Sequence, residues 1–596
     1  MRFVLIAVLL VCCAVPLHAG EWDVYADTWE ATDALGRKLP GYDETGPPRA
    51  DKSVGIFYFL WLGAHGQTGP HDITQILAEN PDALQKPDLD AWGPENAFHH
   101  WGEPLYGYYL SDDSWVLGQH ARMLSDAGVD AVIFDVTNQT TYKENYEALC
   151  KAFAQADELG GTAPRIAFLC PFWDPGKVVQ RLHDDLYAPG LHKELWFQWK
   201  DKPLILADPD KSPEDLRNFF TFRKPVPSYF TGPGGPNQWG WLEVFPQHVF
   251  RDAAGNAEQM TVGVAQNAVS DRLAAFSEEG ARGRSFHDGE NPENTAETVG
   301  KGLNFAEQWE RALHVDPSFI FITGWNEWVA MRLSEFNGVS EPVMFVDQFT
   351  QEKSRDIEPM RGGHGDNYYY QMVANIRRYK GVRKQPPASG PVSIRIDGEF
   401  DDWAHVMPEF RDHVGDAVER EHPGWGDDER YVNRTGRNDF TLMKVARDAD
   451  NIYFYARTAD FLSLHAAPHW MMLFIDSDRD KDTGWEGYDF MLNRQMPRPH
   501  RMLVEVSETG WNWQRAGEAH FAKRGKEIEL AIPRSALGLD NDAPLDIEFK
   551  WADNLVREGN VMEFWVNGDT APPGRFNYRY FVAPVTPEAV PLTPAP

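Results

Sequence analysis

Between Val54 and Trp325 short apolar runs alternate with stretches of helical period, and that alternation restricts the chain to parallel strands joined by crossover helices. Eight strand candidates can be counted: Val54 to Phe59, Ala131 to Val136, Arg165 to Cys170, Leu204 to Ala207, Pro227 to Gly232, Trp241 to Phe245, Met260 to Ala265 and Phe319 to Trp325. Eight is the number that closes a barrel, so the expected fold is α/β, a (β/α)8 TIM-type barrel. Helices are expected over Ser111 to Ala127, Lys143 to Leu159, Pro175 to Leu186 and Thr295 to His314, with Tyr368 to Tyr379 closing the ring. TGPGGPNQWG between the fifth and sixth strands leaves no room for a helix, so the barrel should be irregular there.

The flanks have a different character. Arg2, the apolar run from Phe3 to Val15 and small Ala19 before Gly20 read as a signal peptide over residues 1–19, which implies a secreted or periplasmic protein. A lipid anchor is disfavoured because Val11, which precedes Cys12, is not small. The barrel domain then covers 20–383. Residues 384–391 (KQPPASGP) form a linker, 392–582 an all-β sandwich with strands such as VSIRI, NIYFYA, WMMLFI and EIELAI, and 583–596 a Pro-rich tail. Cys150 and Cys170 are too few for a disulfide framework and read as buried thiols. A net charge of −33 disfavours nucleic acid and anionic membranes, and 22 tryptophans favour the stacking surfaces that bind neutral sugars.

In parallel barrels the chemistry sits at the carboxyl ends of the strands. The most specific strand end is Trp325-Asn326-Glu327-Trp328, a carboxylate delivered between two indoles. This run, with Ile357-Glu358-Pro359 further on, resembles glycoside hydrolase family 99, the endo-α-mannosidases, and related barrels of polysaccharide biosynthesis loci. The resemblance implies acid/base and 2-hydroxyl chemistry from two glutamates three positions apart. Glu327 matches the first, and Ala330 stands where the second would be.

Glycoside cleavage generally needs two carboxyl groups in distinct roles. Asp135 and Glu243 are the preferred partners of Glu327, with Asp174, Asp356 and Glu358 as further candidates. Each has a plainer reading as a turn cap or a buried structural carboxylate. Sugar contacts are expected from Trp61, Trp101, Tyr108, Trp173, Trp325, Asn326, Trp328, Glu358 and His364, several of them on the long loop after the first strand. Its histidines lack metal-ligand spacing, so no catalytic cofactor is expected.

Ile396-Asp397-Gly398-Glu399-Phe400-Asp401-Asp402-Trp403 and Asn451-Ile452-Tyr453-Phe454 resemble carbohydrate-binding module family 9. Within that region Asp476, Asp478, Asp480 and Asp482 space carboxylates at every second position, a layout that can hold structural Ca²⁺ or remain a solvated turn. Trp511 and Trp513 could form a sugar platform or belong to the core. The expected function is an exported glycosidase acting on a polysaccharide or glycan. The alternatives are a non-catalytic glycan-binding protein or an accessory factor of polysaccharide synthesis.

Overall fold

The computed structural model describes residues 22–65, 69–293, 295–426, 430–465, 467–539 and 544–582. Residues 1–19, expected as a signal peptide, and 583–596, expected as a Pro-rich tail, lie outside the described residues. The first part of the chain builds a nearly closed, barrel-like sheet. Its parallel strands are β1 (Ser53–Tyr58), β2 (Ala131–Asp135), β3 (Arg165–Leu169), β4 (Lys202–Leu206), β5 (Thr221–Pro225), β6 (Gln238–Trp239), β7 (Ala257–Gly263) and β8 (Phe319–Thr323). Pairing runs β7-β8-β1-β2-β3-β4-β5-β6, so chain neighbours are sheet neighbours except at β6 and β7, where the ring is open.

Burial on both faces explains why these strands read as unbroken apolar runs. Phe57 and Phe59, Ala131 and Ile133, Ala167 and Leu169, Leu204 and Leu206, and Phe319 and Phe321 alternate along their strands and pack into one interior cluster. Ile56, Val132, Phe134, Ile166, Ile205 and Ile322 join the outer core. Gly55 completes the inward row of β1, where a Cβ would stand 2.6 Å from the Phe319 ring. Helices α1 (Ser114–Asp126), α2 (Lys143–Glu158), α3 (Gly176–Leu182), α4 (Leu303–Val315) and α5 (Asn367–Lys380) accompany the strands near the expected places. Cys150 and Cys170 are free and buried.

The fifth and sixth strands differ from the sequence expectation. Pro227 to Gly232 and Trp241 to Phe245 are irregular, and the strands are the less apolar β5 and β6. Arg223 of β5 is buried because Glu258 of β7 takes two of its N–H groups at 2.6 Å, with Trp239 Nε1 donating to the same carboxylate at 3.0 Å. Burial opposes ionisation there, yet this neighbour holds Glu258 down to about 2. Between β6 and β7 no ladder forms. The Gln259 amide instead bonds the Gly240 N–H at 2.9 Å and its C=O at 3.2 Å, bridging the seam with a side chain.

Two hairpin strands follow the sheet, β9 (Val329–Phe336) and β10 (Val339–Phe345). β9 pairs with Phe98–His100, so the long loop after β1 is folded onto the segment that carries Glu327. The second part of the chain is all β, an antiparallel sheet that includes β11 (Phe440–Arg447), β12 (Asn451–Thr458), β13 (Met472–Asp476), β14 (Glu527–Pro533) and β15 (Asp546–Asp553). NIYFYA, WMMLFI and EIELAI supply β12, β13 and β14, whereas VSIRI is irregular. The two parts meet through buried polar contacts: Arg420 to Asp113 at 2.8 Å, His413 to Asp126 at 2.9 Å and Arg575 to Asp366 at 3.0 Å. Among the described residues no helix is long and apolar enough to cross a membrane.

Candidate active site

Four residues that follow β8 leave it in four directions. Asn326 turns back into the sheet: its Oδ1 accepts the Phe59 N–H at 2.9 Å and its Nδ2 donates to the Phe59 carbonyl at 3.2 Å. Trp325 packs outward, edge-on to His120 at 5.4 Å and near Tyr369. Trp328 stacks on Trp101 at 5.2 Å. Only Glu327 is delivered to the carboxyl end of the barrel-like sheet, where open parallel sheets bind their ligands.

Glu327 Oε2 accepts both Nε and Nη2 of Arg355, at 3.1 and 2.8 Å, and Oε1 has no partner among the described residues. The same Nη2 lies 3.8 Å from Asp347 Oδ1, so two carboxylates share one guanidinium nitrogen. Arg355 Nη1 is fixed by Asn267 Oδ1 at 3.0 Å. Burial pushes the Glu327 carboxyl well above its usual range, with Arg355 opposing and Asp347 adding to the rise. Asp347, half-buried just beyond β10, is raised by burial against the pull of Arg355. Asp135 at the end of β2 feels Asp347 and Arg355 and is pushed by burial to about 6. The site therefore draws residues from the ends of β2 and β8, the loop after β7 and the segment after β10. Of this group, Glu327 and Asp135 are among the residues expected from the sequence, and Asp347, Arg355 and Asn267 are not.

Aromatic rings surround this group. Trp61 stacks over Phe59 at 5.3 Å, and Trp241 lies 5.9 Å from Phe57, 5.3 Å from Phe172 and 5.6 Å from Tyr229. Tyr229 is buried among the charges of Arg355, Asp347 and Glu327. A groove of about 520 Å³ lined by His65, Tyr142 and Asn145 opens nearby, and Asp135 raises the Tyr142 phenol together with burial. Half-buried rings beside carboxyl groups are the equipment of sugar sites.

The other sequence candidates are bonded outside this group, although the charge of Asp356, next to Arg355, adds to the rise of Glu327. Glu243 binds His248, with Nδ1 at 2.5 Å and the backbone N–H at 3.1 Å. Glu358 accepts from Tyr109 at 2.7 Å, His120 at 2.8 Å and Trp328 at 2.6 Å, so it holds Trp328 in place. Asp356 accepts from buried Trp101 at 2.6 Å. His364 is buried beneath that ring, 6.2 Å from its centre. Tyr108 donates to Asp72 at 2.7 Å and faces Tyr431 of the second part, while Trp173 and Asp174 are exposed. Ala330 is packed in β9 opposite His99.

In the second part Trp511 and Trp513 meet at 86°, so their rings do not form one flat platform. Asp476 and Asp489, both buried, come together with exposed Asp478, whereas Asp480 and Asp482 are outside this group. Lys481 donates to Asp476 at 2.7 Å and to Glu548 at 3.0 Å, which gives this loop its own counter-ion.

The Asp135 environment makes a signed prediction. Its folded value near 6 exceeds the ~3.9 of an unfolded Asp, so the folded state holds the extra proton between those values. That contribution is complete below about pH 4 and is lost as pH rises through about 6. Asp135→Asn should therefore raise stability by ~3 kcal/mol at pH 8 and leave it unchanged at pH 4. Paired urea melts at the two pH values check this, and an equal effect at both would refute it.

No protein-family model matches this chain, and no curated protein does. Solved structures similar to it include the GH99 endo-alpha-mannosidase from Bacteroides thetaiotaomicron, 14% identical, covering 56% of this chain and 98% of that one with a TM-score of 0.34. The same enzyme in complex with bis-tris-propane gives 14% identity, 56% and 99% coverage and a TM-score of 0.31. A Ruminococcus gnavus GH29 fucosidase mutant in complex with fucose gives 9% identity, 85% and 95% coverage and a TM-score of 0.18.

Proposed function

We propose that this protein is a glycosidase of the family 99 type, on a (β/α)8 barrel, that hydrolyses O-glycosidic bonds of a polysaccharide or glycan outside the cytoplasm. The observation that carries the reading is the group of three carboxyls, Glu327, Asp347 and Asp135, gathered around Arg355 at the carboxyl end of one sheet. Glycoside cleavage needs a protonated carboxyl to donate to the leaving oxygen and a second, ionised one to act as base or nucleophile. Burial favours the protonated form of Glu327, and its unpartnered Oε1 is the atom that would face the glycosidic oxygen. Arg355 favours ionisation of Asp347, and Asp135 titrates within the working range. Asp347 or Asp135 then supplies the role that Ala330 cannot. Half-buried Trp61 and Trp241 would stack the sugar rings.

A second reading has its own observation. Arg355 occupies Glu327 from two nitrogens, an arrangement that also suits a non-catalytic glycan-binding cleft. A polysaccharide and glycan panel scored for both binding and released product separates the two. The glycosidase reading expects new products from at least one ligand that binds. Retention without products across every bound glycan would leave only the binding reading.

A further inference from the structure

Where the two parts of the chain meet, a second group of carboxylates faces inward with little to neutralise it. Asp412 and Asp416 bracket the turn 412–416, Asp439 immediately precedes β11, and Asp569 opens a short strand, Asp569–Ala571, beside β15. One oxygen each of Asp412, Asp416 and Asp569 lies within 4.8 Å of the others. Asp412 is 0% exposed, and neither of its carboxylate oxygens has a hydrogen-bond partner. One oxygen of Asp416, one of Asp439 and one of neighbouring Asp126 are likewise buried and unpartnered. Three other oxygens of the group do have partners: Asp569 Oδ2 accepts the Phe440 N–H at 2.5 Å, Asp439 Oδ2 accepts the Gly415 N–H at 2.8 Å, and Asp126 Oδ1 meets His413 at 2.9 Å.

Buried donors and acceptors are normally paired, and a carboxylate with both oxygens bare in the interior is costly. The cations nearby do not fill the gap. Lys550 feels the charge of Asp412 but donates to the Pro572 carbonyl, and Arg122 acts on Asp416 and Asp439 from a half-buried position without bonding either. Burial and mutual repulsion push Asp412 and Asp569 well above the usual carboxylate range and bring Asp439 to about 7. The loop at Asp476, by contrast, has Lys481 in its midst.

We propose that Asp412, Asp416 and Asp569 are ligands of a structural divalent cation, of the size of Ca²⁺, that fastens the turn 412–416 to the all-β part and against α1. Carboxylate oxygens that bind one Ca²⁺ at about 2.3–2.6 Å lie no more than about 5 Å apart, and those of Asp412, Asp416 and Asp569 lie within 4.8 Å of one another. Asp416 and Asp569 also line a narrow cleft with Gln119 and Asn567, which gives water a way to complete the shell. The His413–Asp126 contact lies next to the ligands, so occupancy of the site stabilises the junction between the two parts as well as the turn.

The full chain, freed of metal by a chelator and dialysed against CaCl₂, should bind one Ca²⁺ that Asp412→Asn does not. Its melting midpoint should rise by about 5 °C at a hundredfold excess over the dissociation constant. Asp412→Asn should be insensitive to Ca²⁺. In chelator it should melt at or above the wild-type chain, because one repelling charge has gone. Asp569→Asn repeats the test should Asp412→Asn not fold, and Asp478→Asn should keep the wild-type shift. The proposal is overturned if wild-type melting is the same in CaCl₂ and in chelator. It is equally overturned if the shift survives Asp412→Asn or disappears with Asp478→Asn instead.

Discussion

Glu327→Gln should lower turnover by ~10²–10⁴-fold, the usual range for a positioned acid or base, while the chain stays folded and still binds its glycan. Glutamine keeps the volume and an oxygen for the Arg355 N–H groups now received at 2.8 and 3.1 Å, so the guanidinium retains a partner and Asp347 remains beside it. What disappears is the transferable proton. Two comparisons give the loss its meaning. Glu243→Gln should leave activity within a few-fold, because its Oε2 is held by His248 and neither Glu327 nor Arg355 bonds it. Asp347→Asn and Asp135→Asn should separate, the larger loss marking the second carboxyl. Rates on a cleaved glycan, with circular dichroism to check folding, supply the readout. Near-normal turnover by Glu327→Gln would remove this residue from the mechanism.

Glu358→Ala should destabilise the protein by ~3–5 kcal/mol, the cost of removing one member of a buried charged network. Three donors converge on this carboxylate, from Tyr109, His120 and Trp328, and none of them has water to turn to. The network continues: Tyr58 lies 2.8 Å from His120 Nδ1, and Asn326 donates to Tyr109 at 3.3 Å. It therefore joins β1, α1 and the segment after β8. The melting midpoint should fall by ~5–10 °C, with Glu358→Gln intermediate because its amide oxygen still accepts. Activity should fall as well, since Trp328 adjoins Glu327. A midpoint within 1 °C of wild type would contradict the network's role.

Six of the eight strands were legible because burial on both faces leaves only apolar side chains along them, as in Ala131–Asp135 and Phe319–Thr323. β5 and β6 were hidden. β5 carries the buried charge of Arg223 and β6 is only the pair Gln238–Trp239, and a pattern of apolar runs passes over both. Glu327 was legible as a carboxylate at the end of such a run. Asp347, Arg355 and Asn267 were not, for they lie on irregular segments where no periodicity shows direction. The polar residues of Trp325 to Trp328 and Ile357 to Pro359 looked alike in sequence as sugar contacts. Their separate fates depended on donors distant along the chain, such as Tyr109 and His120 for Glu358 and the Phe59 backbone for Asn326.

The central claim is that a carboxyl at this sheet end cleaves glycosidic bonds, and proton NMR of a glycan digest tests it most directly. Each hydrolysed linkage creates a reducing end with its own anomeric signal. With a glycan that the wild-type chain binds, such signals should grow with time, and with Glu327→Gln they should be absent while binding persists. A wild-type chain that binds the glycan and yields no reducing end, or a Glu327→Gln chain that yields them at the wild-type rate, would contradict the account.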